Sequence, residues 1–190
     1  MVDFNDDIEN CIRVLLSGGI ILYPTDTIWG LGCDATNENA VSKIFTIKNR
    51  IESKSLIILV SNPTEIKKYT ASNPSAILNY LKTTNRPTTA IYPLARNLSK
   101  NTINSDGTVA IRIVSENFCK TLIDTFGKPI ISTSANLSGE PNATVFSEIS
   151  YEIMKQVDYI VQYRQKEMVP AKASTIIKLE PNGSVSIIRP

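Results

Sequence analysis

Residues Ile21–Gly32 read Ile-Leu-Tyr-Pro-Thr-Asp-Thr-Ile-Trp-Gly-Leu-Gly. The first three form an apolar run suited to a buried strand. Pro24 then removes a backbone donor. Two threonines flank an aspartate before an aromatic residue and a Gly-x-Gly tail. Loops are polar, yet two hydroxyls and a carboxylate between a proline and glycines exceed what a turn requires. Two readings stand side by side: a tight, solvent-facing strand-to-loop connection, or a place where hydroxyls and backbone meet a ligand.

Working outward, Ile8, Ile12 and Leu15 recur at helical spacing over 6–16, and Ser17-Gly18-Gly19 ends that pattern. Ile20–Tyr23 is a strand. Ala40, Val41, Ile44 and Phe45 share one face of a helix over 38–48, with Asn37 or Asn39 as its cap. The continuous apolar run Leu56–Val60 suits a strand covered on both sides. Helices are expected at 63–69, 74–82 and 116–126, the last closed by Gly127. Strands are expected at Ala90–Tyr92, Thr108–Ile113, Ile130–Ser134 and Tyr159–Val161. Thr175–Leu179 and Val185–Ile188 read as a hairpin around Pro181-Asn182-Gly183. The polar stretch 94–107 has no period and is expected to be a mobile loop. Strands and helices mix without strict alternation. The expected fold is therefore one α/β domain over 1–190, a twisted mixed sheet flanked by helices rather than a clean doubly wound fold.

The chain has 190 residues, 42% hydrophobic and 20% charged, enough to bury a real core. No apolar run approaches the roughly 20 residues of a membrane span. The acidic N-terminus MVDFNDDIEN has no secretory character, which points to a cytoplasmic protein without membrane association. A net charge of +2 does not predict strong nucleic-acid binding, although a local basic cleft is compatible with it. Cys11, Cys33 and Cys119 are far apart and odd in number, so reduced thiols are expected rather than disulfides or a thiolate metal site. The chain contains no histidine. That removes Ser-His-Asp and Cys-His mechanisms and leaves Lys, Arg, carboxylates, hydroxyls and backbone amides to act.

Three further segments could carry chemistry. Lys48-Asn49-Arg50-Ile51-Glu52-Ser53-Lys54 places three cations where a helix ends. They either complement the helix dipole or clamp an anion, and spacing alone does not decide. In Thr108–Ile113, period 2 puts Val109, Ile111 and Ile113 on one face and Thr108, Ala110 and Arg112 on the other. The second face could floor a groove with one anion-binding group. Ile130–Pro141 enters apolar and leaves as hydroxyl and amide, with Ser132, Ser134 and Asn136 on one face if the chain stays extended.

Taken together, YPTDTIWGLGCDA, KNR, TVAIR and STSANLSGEP, with a late STI and the terminal IIRP, resemble the YrdC-like family. These are the threonylcarbamoyl-AMP synthases of tRNA modification, here of the short bacterial type. The order and spacing of the blocks agree with the family from about residue 8 onward. The resemblance implies a single α/β domain with a wide, positively lined groove. It also implies a nucleotidyltransferase reaction: L-threonine, bicarbonate or CO2, and ATP give L-threonylcarbamoyl-AMP and pyrophosphate. A separate transferase complex then passes the group to the adenosine beside the tRNA anticodon.

By position, the resemblance makes Lys48 and Arg50, with Ser134 and Asn136, the catalytic signature. Thr27, Arg112, Ser132 and Ser174 would contact threonine. Arg50, Lys54, Thr108, Ser134, Asn142 and Arg189 would contact ATP. Asn142 stands where the family usually has Ser. Ile51 and Ser55 replace family prolines, and Leu59 replaces a histidine of longer members. The stretch YRQKEMVPAKA before Ser174 lacks the glycines often found there. No protein carboxylate cluster is apparent, so Mg2+ is expected to be held mainly by phosphates. Two alternatives remain: a non-catalytic RNA-binding paralogue, and a carbamoyl-transfer domain like those of hydrogenase maturation. The first predicts salt-sensitive RNA binding, and weak RNA binding is compatible with the synthase reading too.

Overall fold

The computed structural model describes residues 4–49, 55–180 and 184–190. Arg50, Ile51, Lys54 and Pro181-Asn182-Gly183, expected as a turn, lie outside the described residues.

The quoted stretch turns out to be a hairpin. Strand β1 (Ile21–Tyr23) pairs antiparallel with β2 (Gly30–Gly32), matching Tyr23 to Gly30 and Ile21 to Gly32. The Gly-x-Gly tail, read in sequence as the end of a loop, is therefore a strand. A Cβ on Gly32 would lie 2.6 Å from Tyr23 Cε1, so the residue is glycine because the Tyr23 ring occupies that space. Tyr23 is buried, and its hydroxyl donates to the Ile131 carbonyl at 3.0 Å.

The remaining strands are β3 (Ile57–Val60), β4 (Thr88–Tyr92), β5 (Val109–Ile113), β6 (Ile130–Ser134), β7 (Tyr159–Ile160), β8 (Thr175–Leu179) and β9 (Val185–Arg189). All join one sheet in the order β7-β1-β2-β6-β3-β5-β4-β8-β9. The pairs β1–β7, β3–β5 and β4–β8 are parallel, and the others antiparallel. This is the mixed α/β sheet expected. Residues far apart in sequence meet at its centre, where β2, β6, β3, β5, β4 and β8 run side by side.

Helix α1 (Asn5–Leu16) buries Ile8, Cys11 and Leu15, while Ile12 is only half-buried. It also buries Asp7, which nothing in the apolar pattern signals. The Asp7 carboxylate accepts from the Tyr159 hydroxyl at 2.6 Å and from the Gln162 and Tyr163 amides. It thereby ties the start of the chain to the segment after β7.

Helix α2 (Glu38–Ile47) is capped by Asn37, whose side chain accepts from the Ala40 amide. The sequence at 63–69 forms a 3-10 turn followed by the short α3 (Ile66–Tyr69). Next come α4 (Ser75–Leu81) and α5 (Asn117–Phe126), the latter closed by Gly127 at φ 74°, and finally the short α6 (Tyr151–Met154). Phe4 meets Phe118 edge-on, at 5.6 Å between ring centres, where α1 and α5 pack.

The stretch 94–107 is not the free loop its composition suggested. Ala95 bridges Thr70, and the Ser99 amide and Thr102 hydroxyl both donate to the Ala35 carbonyl. Ser99 and Thr102 are buried and share a 2.7 Å hydroxyl contact. Side chains whose hydrogen bonds go to the body of the fold leave no hydropathy period, so the sequence gives no sign of this anchoring. The three cysteines are free and buried, as expected. Among the described residues, no helix is long and apolar enough to cross a membrane.

Candidate active site

The central strands frame a cavity of about 340 Å³. Its floor comes from the Arg112 face of β5. Ala110 and Arg112 line it, with Ile57 and Ile91 from the flanking strands. Ser132, Thr133 and Ser134 line it from β6, and Thr27, Ile28, Trp29 and Gly30 from the β1–β2 hairpin. Ala173, Ser174, Ile176, Ile188 and Arg189 close the side formed by β8 and β9, with Asn142 at the edge. Seven of the expected site residues thus converge: Thr27, Arg112, Ser132, Ser134, Asn142, Ser174 and Arg189. None of the described lining residues is acidic. Ser55, the first residue described after position 54, also lines the cavity, whereas Arg50 and Lys54 lie outside the described residues.

The hairpin loop is organised around one hydroxyl. Thr25 Oγ1 donates to the Ile28 carbonyl at 2.8 Å and accepts from the Thr27 amide at 3.0 Å. It lies 2.9 Å from the Thr27 hydroxyl and 3.4 Å from Arg112 Nη2. Arg112 Nη2 also sits 3.2 Å from Asp26 Oδ1, and both side chains are buried. That oxygen makes no aligned hydrogen bond, so the contact is an ion pair rather than a directed bond. Arg112 Nε has no hydrogen-bond partner. Asp26 therefore holds the guanidinium in place without saturating its donors.

On the opposite wall, the Ser174 hydroxyl lies 2.8 Å from Thr89 Oγ1. The Ser174 carbonyl accepts from Arg189 Nε at 3.1 Å and Nη2 at 2.8 Å. Desolvation and the nearby Arg112 charge lower the Arg189 pKa below the ordinary arginine value. Two mutually repelling cations, one of them paired with Asp26 behind the wall, in a cavity with no acidic residue among its described lining favour an anionic guest.

Three expected site residues do not line the cavity. Lys48 is 2% exposed. Its ammonium donates to the Ser134 carbonyl, to the Asn136 carbonyl at 2.6 Å, and to Asn136 Oδ1 at 3.3 Å. The sequence left helix-dipole complement and anion clamp both open for this cation; in the structure Lys48 lies beneath the end of β6. Asn136 leaves the Ser132–Ser134 face because the strand ends at Ser134. Its side chain accepts from the Ser134 hydroxyl at 2.5 Å and donates to the Glu140 carbonyl at 2.6 Å. Lys48 and Asn136 thus fix the position of Ser134, which does line the cavity. Thr108 precedes β5 and caps the turn before it. Its hydroxyl donates to Asp106 at 2.6 Å and accepts from Asn104 Nδ2 at 2.9 Å.

Trp29 was not singled out as a site residue, yet it lines the cavity and packs on Phe146 at 4.8 Å between ring centres. Its place between Gly-rich and Thr-rich residues was the available signal.

Known proteins share the sequence pattern and the fold. The family model for Sua5, YciO and YrdC, described as telomere recombination, matches residues 13–190. A threonylcarbamoyl-AMP synthase of Pseudoalteromonas translucida is 33% identical over 81% of this chain and 84% of its own. One from Blochmanniella pennsylvanica is 37% identical over 75% of each chain. Among solved structures, P. abyssi Sua5 complexed with L-threonine superposes with a TM-score of 0.84 at 25% identity. It covers 96% of this chain, which spans about half (53%) of the Sua5 chain. E. coli YciO, at a TM-score of 0.83 and 24% identity over 97% of this chain and 88% of its own, shares the fold. With the family model matching nearly its whole length, the chain belongs to the Sua5/YciO/YrdC family.

Proposed function

We propose that the chain is a threonylcarbamoyl-AMP synthase, a nucleotidyltransferase that joins L-threonine, bicarbonate or CO2, and ATP with release of pyrophosphate. The observation that carries this reading is the convergence of residues from positions 27 to 189 on one cavity with hydroxyl and arginine walls and no described acidic lining. In this reading the threonine carboxylate and side chain sit against Arg112, Thr27, Ser132 and Ser174. ATP lies towards Ser134, Asn142 and Arg189, with Arg50 and Lys54 as further phosphate ligands. Thr108 keeps its assignment as an ATP contact only if nucleotide reaches the turn before β5.

The threonine amine adds to CO2 with loss of a proton, giving a carbamate. A carbamate oxygen attacks the α-phosphorus, and pyrophosphate leaves. The nucleophile is already an anion, so the step does not depend on a histidine base. The demand is electrostatic: an anion must approach a triphosphate, and fixed cations and donors lower that barrier. Lys48 contributes indirectly by setting the carbonyls and hydroxyl at the end of β6. Mg2+ fits here as an ion carried by the phosphates. The described residues contain no group of three or more acidic or cysteine side chains to hold it, and no step is assigned to it.

Product then passes to a tRNA-modifying transferase complex, in line with a cytoplasmic site of action. The test is pyrophosphate release with Mg-ATP, omitting threonine and bicarbonate in turn. Dependence on both is expected; release indifferent to both would overturn the assignment. A site that pairs the threonine hydroxyl should also reject valine, at about 1–3 kcal/mol for the unpaired group.

A further inference from the structure

We propose that Arg164 is a positioning residue for the amino-acid end of the cavity, acting through the Thr25 carbonyl from outside it. The inference rests on the reading that this cavity takes L-threonine.

Residues 163–173 form a strap that the proposed chemistry does not otherwise use. Its last residue, Ala173, borders the cavity beside Ser174. Near its end, the Ala171 amide donates to the Thr144 carbonyl at 3.2 Å, anchoring the strap to the segment that follows Asn142. At its start, Arg164 has φ 66°, a left-handed conformation unfavourable for a long side chain. Side-chain contacts hold it there. Nη1 donates to the Thr25 carbonyl at 2.9 Å, and Nε donates to Glu167 Oε2 at 2.7 Å. Backbone strain of this kind persists where the surroundings over-determine it.

Thr25 is the residue whose hydroxyl binds the Thr27 amide, faces the Thr27 hydroxyl and meets Arg112. Thr27 and Trp29 line the main cavity on one side and a small crevice with Arg164 and Glu167 on the other. The hairpin loop is thus a thin wall, with a ligand cavity on one side and the Arg164 contact on the other. Pulling on the Thr25 carbonyl sets where its hydroxyl points, and that hydroxyl orients the two side chains assigned to threonine. A charge-assisted bond to a carbonyl is strong and directional enough for this task.

Arg164→Asn is the informative variant, because Asn tolerates the left-handed backbone but cannot span to Thr25. Arg164→Lys keeps one charged donor. Glu167→Gln leaves the Thr25 contact in place and weakens the brace on Nε. Steady-state kinetics, calorimetric binding of L-threonine and thermal melts would be run on all three and on the wild type. Arg164→Asn is expected to raise both KM and Kd for L-threonine about 10-fold, the factor lost with one hydrogen bond to a charged group. KM for ATP should stay within about 2-fold. Arg164→Lys should recover part of the loss, and Glu167→Gln should lie between it and wild type. Unchanged threonine affinity in Arg164→Asn, or equal losses for threonine and ATP, would overturn the proposal. Should Arg164→Asn not fold, Arg164→Lys and Glu167→Gln decide: wild-type threonine affinity in both would overturn it. Wild type that binds no L-threonine would instead remove the cavity assignment, and this inference with it.

Discussion

Neutralising Asp26 should destabilise the fold by an amount the structure allows to be bounded. Asp26 and Arg112 lie 3.2 Å apart, with side chains 5% and 3% exposed. In Asp26→Asn the shape is kept and the guanidinium loses its carboxylate. Breaking one side of a buried pair costs about 3–5 kcal/mol, because a charge is left uncompensated. Arg112 borders the cavity, so solvent there can screen part of that charge. The Thr25 hydroxyl also remains nearby. The expected loss therefore lies at the low end, about 3 kcal/mol. At roughly 2–4 °C per kcal/mol for a chain of this size, the melting temperature should fall by roughly 6–12 °C. Urea unfolding gives the free energy, and a thermal melt without ligands checks the shift. A double-mutant cycle with Arg112→Met separates the pair from general damage. The double variant should be less destabilised than the sum of the singles by about 1 kcal/mol or more. A loss under about 0.5 kcal/mol for Asp26→Asn, or strict additivity in the cycle, would refute the idea that this carboxylate holds Arg112.

Gly32→Ala should cost about 1–3 kcal/mol in urea, since its Cβ would lie 2.6 Å from the Tyr23 ring and 3.1 Å from Ile130 Cγ2. Wild-type stability for Gly32→Ala would mean that Tyr23 can move. Lys48→Met should lower stability by about 2 kcal/mol or more, as the Ser134 and Asn136 carbonyls lose their charged donor. A variant as stable as wild type but unable to bind ATP would return Lys48 to the phosphate clamp. Tyr159 is raised to about 12 by burial and by its bond to Asp7. A folded pKa above the ordinary value of 10.0 gives stability that is complete below pH 10 and lost as pH rises towards 12. Tyr159→Phe should therefore show a shallower loss of stability across that window in pH-dependent urea melts; an unchanged slope would reject the contribution of Tyr159.

How much of this was legible in the sequence depended on the range of the forces involved. Strands such as Ile130–Ser134 and helices such as Asn117–Phe126 declare themselves by local period and by an adjacent cap, Gly127 in the second case. Strand Gly30–Gly32 did not, because its two glycines have no β preference of their own. They are there because Tyr23, on the partner strand, and Ser132 and Ile130, on β6, occupy the space a side chain would need. Asp7 sits on the buried side of α1 for a similar reason: its partners are 152 to 156 residues away.

The site divides along the same line. Residue types fit for binding anions were visible, and the resemblance assigned them roles, but what each side chain touches within the fold was not. Local pattern put Lys48 at a helix end and Arg112 on one face of a strand, but not the partners that each one finds. Lys48 follows α2 under the end of β6, where two carbonyls need a donor. Arg112, the next-to-last residue of β5, lies on the face that lines the cavity. One cation is buried among the Ser134 and Asn136 acceptors and shapes the wall; the other is paired by a single buried carboxylate and keeps one N–H, Nε, without a partner. A cavity that brings two anions together, as proposed here, would need both kinds. Rigid walls would keep the donors from relaxing around either guest, so that their fixed dipoles act on the charge that develops between them.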